Sequence, residues 1–239
     1  MKLIHISDIH LTENGRDIWG VTPKKRLDDS LYQISKIPDI DAIIISGDLS
    51  DDGSFWSYKY IDQHFSELGI PTYCCLGNHD DIENLTQSLE YVQFVSHLDL
   101  LGWRILFLNT VIPKMSKGLI EESELSSLEK KLTTSPLDTI IVMHHPPLLP
   151  GGWLNKKKLI NENELTNVLT STGTVKLVLY GHIHCFSDIS KNGILYHSTS
   201  STCYAYNKDL PKYKKDDGQE GFSVISLTGN NISIENIKF

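Results

Sequence analysis

Short apolar runs alternate with amphipathic stretches along most of this chain. The apolar runs predict buried strands at residues 3–7, 41–46, 71–76, 103–109, 138–143 and 175–180. The amphipathic stretches predict helices at 23–36, 55–68, 82–97, 122–132 and 161–169, with Pro23 and Ser54 standing where helices begin. This alternation indicates an α/β fold with parallel strands.

The C-terminal part of the chain has a different pattern. Residues 194–200 predict one further strand. Residues 221–227 and 232–239, joined by the turn sequence Thr-Gly-Asn-Asn, predict an antiparallel hairpin. No repeat, linker or low-complexity segment divides the 239 residues, so we expect one domain spanning 1–239.

Composition and charge exclude several classes of protein. The net charge of −8 argues against nucleic acid as the main partner, while leaving room for a small phosphate ester held by metal cations. The apolar runs are too short to cross a bilayer, and the N-terminus has no charged-then-apolar leader. Cys74, Cys75, Cys185 and Cys203 form neither a CxxC pair nor a disulfide-like spacing. We therefore expect a reduced, cytoplasmic protein with no membrane partner.

Polar residues collect directly after five of the predicted strands. In chain order the clusters are Asp8-Ile9-His10, Gly47-Asp48, Gly77-Asn78-His79-Asp80, His144-His145-Pro146-Pro147 and Gly181-His182-Ile183-His184. Ligands bind outside the carboxyl ends of the strands in open α/β sheets. An HxH pair alone arises by chance, but five such clusters indicate one shared site.

The residue types and spacings within these clusters suit metal ions. Residues i and i+2 of an extended segment point the same way, so Asp8 and His10 can reach one ion. Asp and Asn taken singly are also common turn residues. The candidate ligands are Asp8, His10, Asp48, Asn78, His144, His182 and His184. This set exceeds the needs of one four-coordinate zinc and fits two ions that share a carboxylate, about 3.5–4 Å apart. Such ligands suit Mn²⁺, Fe or Zn²⁺ better than Cu(I).

The ordered motifs DxH, GD, GNHD, HHPP and GHIH resemble those of the calcineurin-like metallophosphoesterases. The segments HHPPLLPGGWLNKKKLINENEL, GHIHCFSD and STSSTCYAY further resemble the bacterial class III cyclic-nucleotide phosphodiesterases, over roughly residues 1–204. The resemblance implies an α/β fold, a four-layer α/β/β/α sandwich of the metallophosphoesterase type with two central mixed sheets.

The resemblance also implies roles for individual residues. Asp8, His10 and His184 would bind one ion, Asn78, His144 and His182 the other, and Asp48 would bridge both. The ions would be Fe or Mn, with Zn possible. His79 would lie over the substrate phosphate and assist the leaving oxygen, with Asp80 orienting its imidazole. Asn78 and His184 would also contact the substrate.

These roles lead to a functional hypothesis. The protein would hydrolyse 3′,5′-cAMP to 5′-AMP by in-line attack of a metal-bridging hydroxide, with His79 as general acid. A phosphatase or phosphodiesterase for another small ester, such as a glycerophosphodiester or another nucleotide, would use the same ligands. A non-catalytic binding scaffold on this fold is the alternative from a different class, and the complete ligand set argues against it.

The substrate pocket is less well defined by the sequence. Trp153, Asn161, Thr202 and Tyr204 either line it or pack the surrounding loops. The lysines at 156–158 and 212–215 are expected on the solvated surface, with phosphate steering as the alternative. His5 is expected in the core or between the sheets, and His145 in the core or beside the ligands. Asp51 and Asp52 are expected in a loop or beside the ligands rather than as ligands. The role of residues 208–219 is open, and the region from Tyr204 to the hairpin is a possible homodimer contact.

Overall fold

Two six-stranded sheets form the centre of the computed structural model, which describes residues 1–149, 151–229 and 231–239. The first sheet has the spatial order β12 (Asn231–Lys238), β11 (Gly221–Thr228), β1 (Lys2–Ile6), β2 (Ala42–Ile45), β3 (Thr72–Cys74) and β4 (Gln93–Phe94). The second has the order β5 (His97–Leu100), β6 (Trp103–Phe107), β7 (Thr139–Val142), β8 (Val175–Tyr180), β10 (Ile194–Ser198) and β9 (Ser187–Lys191). The helices are α1 (Pro23–Ile34), α2 (Phe55–Leu68), α3 (Ile82–Ser88), α4 (Glu122–Thr133) and α5 (Glu162–Thr170).

Both sheets are mixed. β1 to β4 run parallel, and β11 and β12 continue the sheet with antiparallel pairing. In the second sheet β6, β7, β8 and β10 are parallel, while β5 and β9 pair antiparallel at the edges. The predicted parallel strands and the C-terminal hairpin are confirmed, although Asn230 of its turn lies outside the described residues.

Three apolar clusters hold four layers together. Successive strand residues face opposite sides of a sheet. Ile43 of β2 therefore packs outward in a cluster with Leu27 of α1, while its neighbour Ile44 packs inward in a cluster with Ile105 of β6. A third cluster joins α4 and α5 to the outer face of the second sheet. The α/β/β/α sandwich is confirmed, and burial on both faces explains why the strands are continuously apolar.

The helix predicted at 82–97 is wrong beyond its first half. α3 ends at Ser88, and the chain then enters β4 and β5. Asp62 on α2 explains the break, because one of its carboxylate oxygens accepts the backbone N–H groups of Glu90, Tyr91 and Val92 at 2.8–3.0 Å. These bonds replace helical hydrogen bonds, so the following apolar residues are free to pair as strands.

Two expectations about the chain as a whole can be compared with the fold. The four cysteines are free thiols and all are buried. Within the described ranges, no helix combines the length and apolar character needed to cross a membrane.

His5 on β1 faces His197 on β10 between the sheets, with ring centroids 5.6 Å apart, so both histidines are core residues.

Candidate metal centre

Sharp turns at the strand ends aim the predicted ligands at one point. Asp8, His10, Asp48, His182 and His184 all have positive φ angles, between 48° and 69°. Non-glycine residues adopt this left-handed conformation at a cost of order 1–3 kcal/mol each, and such residues collect at functional sites. The turns follow β1, β2 and β8, whose carboxyl ends meet at the same edge of the sandwich.

Glycines in these turns let the ligand loops approach closely. A Cβ atom at Gly77 would overlap the Asp48 carboxylate, and one at Gly181 would overlap the Ser7 hydroxyl and lie 2.6 Å from Asp8 Oδ2. At Gly47 it would lie 2.6 Å from His144 Nδ1. The centre therefore requires glycine at three loop positions for steric reasons.

Asp8, His10 and His184 form the first group of donor atoms. Asp8 Oδ1 lies 3.2 Å from His184 Nε2 and 3.8 Å from His10 Nε2, and the two imidazole nitrogens are 3.2 Å apart. All three residues are buried. Atoms bound to one ion at about 2.0–2.2 Å lie about 3–3.5 Å from one another, so the spacing fits a shared ion.

The second group of donor atoms belongs to His144, His145 and His182, which lie within 4.8 Å of one another, and the predicted ligand Asn78 offers a further buried oxygen. Asn78 Oδ1, His145 Nε2 and His182 Nε2 are buried and have no hydrogen-bond partner within the described part of the chain. His144 Nε2 is also buried, and its neighbour is Asp48 Oδ2 at 3.2 Å. Buried polar atoms are nearly always paired, and an ion that is bound there satisfies them. The residues present therefore fit a metal site.

Asp48 lies between the two groups. Its Oδ2 is 3.2 Å from His144 Nε2 and 3.6 Å from His10 Nε2, while its Oδ1 accepts the backbone N–H of His79 at 2.9 Å. One carboxylate thus faces imidazoles of both groups, as a bridging ligand must.

Hydrogen bonds at Nδ1 fix the orientation of three predicted imidazole ligands. His144 Nδ1 donates to the Ser46 carbonyl and His184 Nδ1 to the Tyr204 carbonyl, both at 2.8 Å. His10 Nδ1 lies 3.2 Å from Asp51 Oδ1. With Nδ1 engaged, each ring presents Nε2 to the centre, an arrangement typical of metal-bound histidine.

The electrostatics of the centre favour cations. Burial opposes the charge of Asp48, yet the His144 imidazole holds the pKa of the Asp48 carboxyl well below its ordinary value. Burial likewise opposes protonation of His144, but the carboxylates of Asp48 and Asp8 raise its pKa to about 9. Protons thus compensate the buried carboxylates when no ion is bound, and a bound ion has to displace them.

His79 lies at the mouth of the centre and is exposed. Its ring stands edge-on to that of His10, with centroids 4.8 Å apart. The carboxylate of Asp80, predicted to orient His79, accepts instead the backbone N–H groups of Leu49, Ser50 and Gly77 and the Tyr58 hydroxyl at 2.9–3.3 Å. Asp80 therefore fastens two ligand loops together. The residue beside the His79 imidazole is Asp51, whose carbonyl oxygen lies 3.0 Å from Nδ1.

The four pocket candidates have different surroundings. The amide of Asn161 pairs with both the N–H and the carbonyl of Ile120 and thereby ties a loop to the start of α5. Tyr204 is buried against His10 and His184, with ring centroids 5.5 and 4.5 Å away. Thr202 is fully buried, and Trp153 packs edge-on to Tyr206.

Several residues lie near the centre although no motif in the sequence placed them there. Lys157, expected in solvent, is half-buried with its ammonium 3.4 Å from the His182 carbonyl. Tyr206 stacks on His184 at an interplanar angle of 9°. Residues 208–219, whose role the sequence left open, fold back on the Tyr206 ring. Tyr206 forms a β-bridge with Lys215, and the Tyr213 ring packs edge-on to that of Tyr206, with centroids 4.4 Å apart.

Comparison with known proteins places this geometry in context. A family model described as calcineurin-like phosphoesterase matches residues 1–186. The chain is 28% identical to a 3′,5′-cyclic-nucleotide phosphodiesterase of Nostoc sp., over 95% of this chain and 88% of that protein. It is 30% identical to the 3′,5′-cyclic adenosine monophosphate phosphodiesterase CpdA of Haemophilus influenzae, over 95% and 85% of the two chains.

Solved structures show the same architecture at much lower sequence identity. A dimetal phosphatase from Danio rerio superposes with a TM-score of 0.72 at 13% identity, over 98% of this chain and 95% of that one. This likeness concerns the fold alone. The family match over residues 1–186, with the phosphodiesterase relatives, shows that the chain belongs to the calcineurin-like phosphoesterase family and is a metal-dependent phosphoric ester hydrolase.

Proposed function

We propose that this protein hydrolyses a cyclic nucleotide, 3′,5′-cAMP to 5′-AMP, at a dinuclear metal centre. The observation that carries the proposal is the sharing of Asp48 between two ligand groups, with His79 at their mouth. The names of the Nostoc and Haemophilus relatives support the choice of substrate.

The centre would bind two metal ions, each of them Fe, Mn or Zn. Asp8, His10 and His184 would bind one ion, and Asn78, His144 and His182 the other, with Asp48 between them. Bound ions would lower the pKa of a coordinated water and neutralise phosphate charge.

His79 would serve as the general acid. Its Nδ1 faces the Asp51 carbonyl, which only accepts a hydrogen bond, so Nδ1 carries a hydrogen and Nε2 is left to face the substrate. A water oxygen adds to phosphorus, the P–O3′ bond breaks, and His79 Nε2 gives a proton to the departing ribose oxygen. The water loses one proton, which restores His79, and the net reaction consumes one water. Proton donation of this kind contributes about 10²–10⁴-fold.

Asp51 would position this donor and one ligand together. Its carbonyl holds His79 and its carboxylate holds His10. Through the backbone N–H of His79, Asp48 also fixes the loop that carries Asn78. The chain's own contribution is thus a rigid arrangement of ligands, acid and substrate, which is a large part of catalysis in such centres.

The test uses metal-free protein reloaded with Mn²⁺, Fe²⁺ or Zn²⁺ and assayed on 3′,5′-cAMP and on bis(p-nitrophenyl) phosphate. We expect kcat/KM for cAMP of about 10⁴ M⁻¹s⁻¹ or more. Asp48→Asn is the matched control, which should lose both activities with its metals. Turnover of the generic diester without turnover of cAMP would reject the substrate and keep the dinuclear hydrolase.

A further inference from the structure

An exposed tryptophan occupies a strained turn beside the metal centre. Trp19 and Gly20 form the two-residue tip of a small hairpin, in which Ile18 and Val21 exchange backbone hydrogen bonds of 2.8 and 2.9 Å. The φ angles of Trp19 and Gly20 are 49° and 77°. Positive φ at both tip residues defines a type I′ turn, for which Asn-Gly is preferred and a bulky first residue is unfavourable.

Burial does not account for a tryptophan at this position, because its side chain is 57% exposed. The hairpin is anchored instead by Ile18 and Val21, which are buried in a cluster with Cys203, Tyr204 and Tyr206. The turn would therefore keep its place with a smaller residue at its tip. A strained backbone that displays a large ring to solvent points to a function for the ring.

Aromatic contacts connect this ring to the metal centre. Trp19 lies 4.9 Å from Tyr204 between ring centroids, and Tyr204 in turn packs on the predicted ligands His10 and His184. Tyr213 stands edge-on to Trp19 at 5.3 Å and 74°. Trp19 is therefore at the rim of the centre, with one tyrosine between it and the ligands of the first ion.

We propose that Trp19 is the platform on which the purine base of the nucleotide stacks while the phosphate lies at the metal centre. This inference rests on the proposed function, since only a nucleotide bound there presents a base at the rim. Aromatic faces bind bases by stacking, and the exposed indole offers the largest such face beside the centre. Trp19 is thus a specificity-determining residue rather than a catalytic one.

The competing location for the base is a cleft on the other side of His79. Its volume is about 470 Å³, and its walls include Ile82, Val111, Pro113 and Lys114. Apart from His79, which is reserved for the leaving oxygen, the cleft has no aromatic ring among its lining residues in the described part of the chain. Ile82 is the exposed apolar residue there and makes this alternative testable.

The experiment measures inhibition by 5′-AMP and by ribose 5-phosphate, which differ only in the base. Hydrolysis of bis(p-nitrophenyl) phosphate by the Mn²⁺-loaded enzyme reports both inhibition constants for wild type, Trp19→Asn, Trp19→Phe and Ile82→Ala. We expect wild type to bind 5′-AMP more tightly than ribose 5-phosphate. Trp19→Asn should reduce this preference by about 5- to 150-fold, and Trp19→Phe should retain much of it.

Trp56→Ala on α2 is the control for loss of an exposed tryptophan elsewhere and should keep the preference. Because asparagine suits the turn, Trp19→Asn should unfold at the same temperature as wild type or higher. The ratio of the two inhibition constants does not depend on the folded fraction. An unchanged ratio in Trp19→Asn, or a ratio lost in Ile82→Ala instead, would overturn the inference.

The same assays separate this inference from the proposed function. A Trp19-dependent preference for 5′-AMP without cAMP turnover would reject the substrate and uphold the platform. Efficient cAMP turnover with no contribution from Trp19 would support the proposed substrate and reject Trp19 as the platform for the base.

Discussion

The Asp51 carbonyl oxygen lies 3.0 Å from His79 Nδ1, while the carboxylate of the same residue lies 3.2 Å from His10 Nδ1. One loop residue therefore orients both the proposed general acid and a proposed metal ligand. The backbone of Asp51 holds His79, while its carboxylate Oδ1 lies close to both imidazoles, 3.2 Å from His10 Nδ1 and 3.5 Å from His79 Nδ1.

His79→Ala should lose turnover and keep its metals. The imidazole is exposed at the mouth of the centre, and the backbone N–H that bonds to Asp48 remains in the variant. We expect kcat for cAMP to fall by about 10²–10⁴-fold. Metal content measured by elemental analysis should match wild type. Loss of metal along with turnover would show that His79 is a ligand instead.

Asp51→Asn should weaken binding of the first ion, the one assigned to Asp8, His10 and His184, more than binding of the second. The variant keeps the carbonyl that holds His79 but removes the carboxylate charge that lies 3.2 Å from His10 Nδ1 and 3.5 Å from His79 Nδ1. Partners of ligating histidines typically contribute 10–100-fold in metal affinity. Metal titration of metal-free protein should show one weakened site of the two. If both affinities are unchanged, Asp51 does not act through His10.

Asp80→Ala should destabilise the fold rather than remove a catalytic group. The substitution leaves three backbone N–H groups and the Tyr58 hydroxyl without their acceptor. Loss of such partners should lower the free energy of unfolding by at least about 2 kcal/mol. Denaturant unfolding measures this value. A variant of normal stability with greatly reduced kcat would restore the catalytic role that the sequence suggested.

Metal affinity should rise with pH up to about 9. Without an ion, His144 is protonated below its raised pKa of about 9, because burial is outweighed by the carboxylates of Asp48 and Asp8. An entering ion must displace that proton, so lower pH weakens binding. The same shift stabilises the metal-free fold below pH about 6.5, the ordinary value for histidine, and this contribution is lost as pH rises towards 9.

Two measurements check the sign of this effect. Calorimetric titration in buffers of different ionisation enthalpy should detect proton release on metal binding at pH 7. In thermal unfolding of metal-free protein, the unfolding temperature of His144→Gln should depend less on pH than that of wild type between pH 6.5 and 9. Metal binding without proton release at pH 7 would contradict the protonated state of His144.

Lys157→Met should tighten metal binding and weaken substrate binding. Burial and the nearby ammonium of Lys157 both lower the pKa of His182, so the lysine disfavours further positive charge at the centre. The same ammonium attracts an anionic phosphate once ions are bound. We expect a rise in KM for cAMP of about tenfold, equal to 1.4 kcal/mol, with kcat changed less. Lys156→Met is the matched control, because Lys156 is exposed. Equal effects of both substitutions would indicate general charge steering.

The apolar runs and motifs of the sequence predicted the sandwich and a candidate set of metal ligands. Its apolar runs matched the inner strands because strands buried on both faces must be apolar throughout, as at Ile43 and Ile44. Asp8, His10, His182 and His184 were identifiable because strand ends and i, i+2 spacing are local features. Lys157 and the helix at 82–97 were misjudged for the same reason, since local pattern does not report what a distant loop covers.

The contacts that hold the loops around the centre became visible only in the folded chain. Asp80 was expected to orient His79 because an acidic partner often fixes an imidazole, yet Asp51, from another loop, has that position. The side chain of Asn161, predicted as a pocket residue, is hydrogen-bonded to Ile120, which lies 41 residues earlier. Trp19 reaches the rim through a hairpin anchored on Tyr204. Such contacts depend on side chains that meet across loops far apart in the chain, and no periodicity in a single segment encodes them.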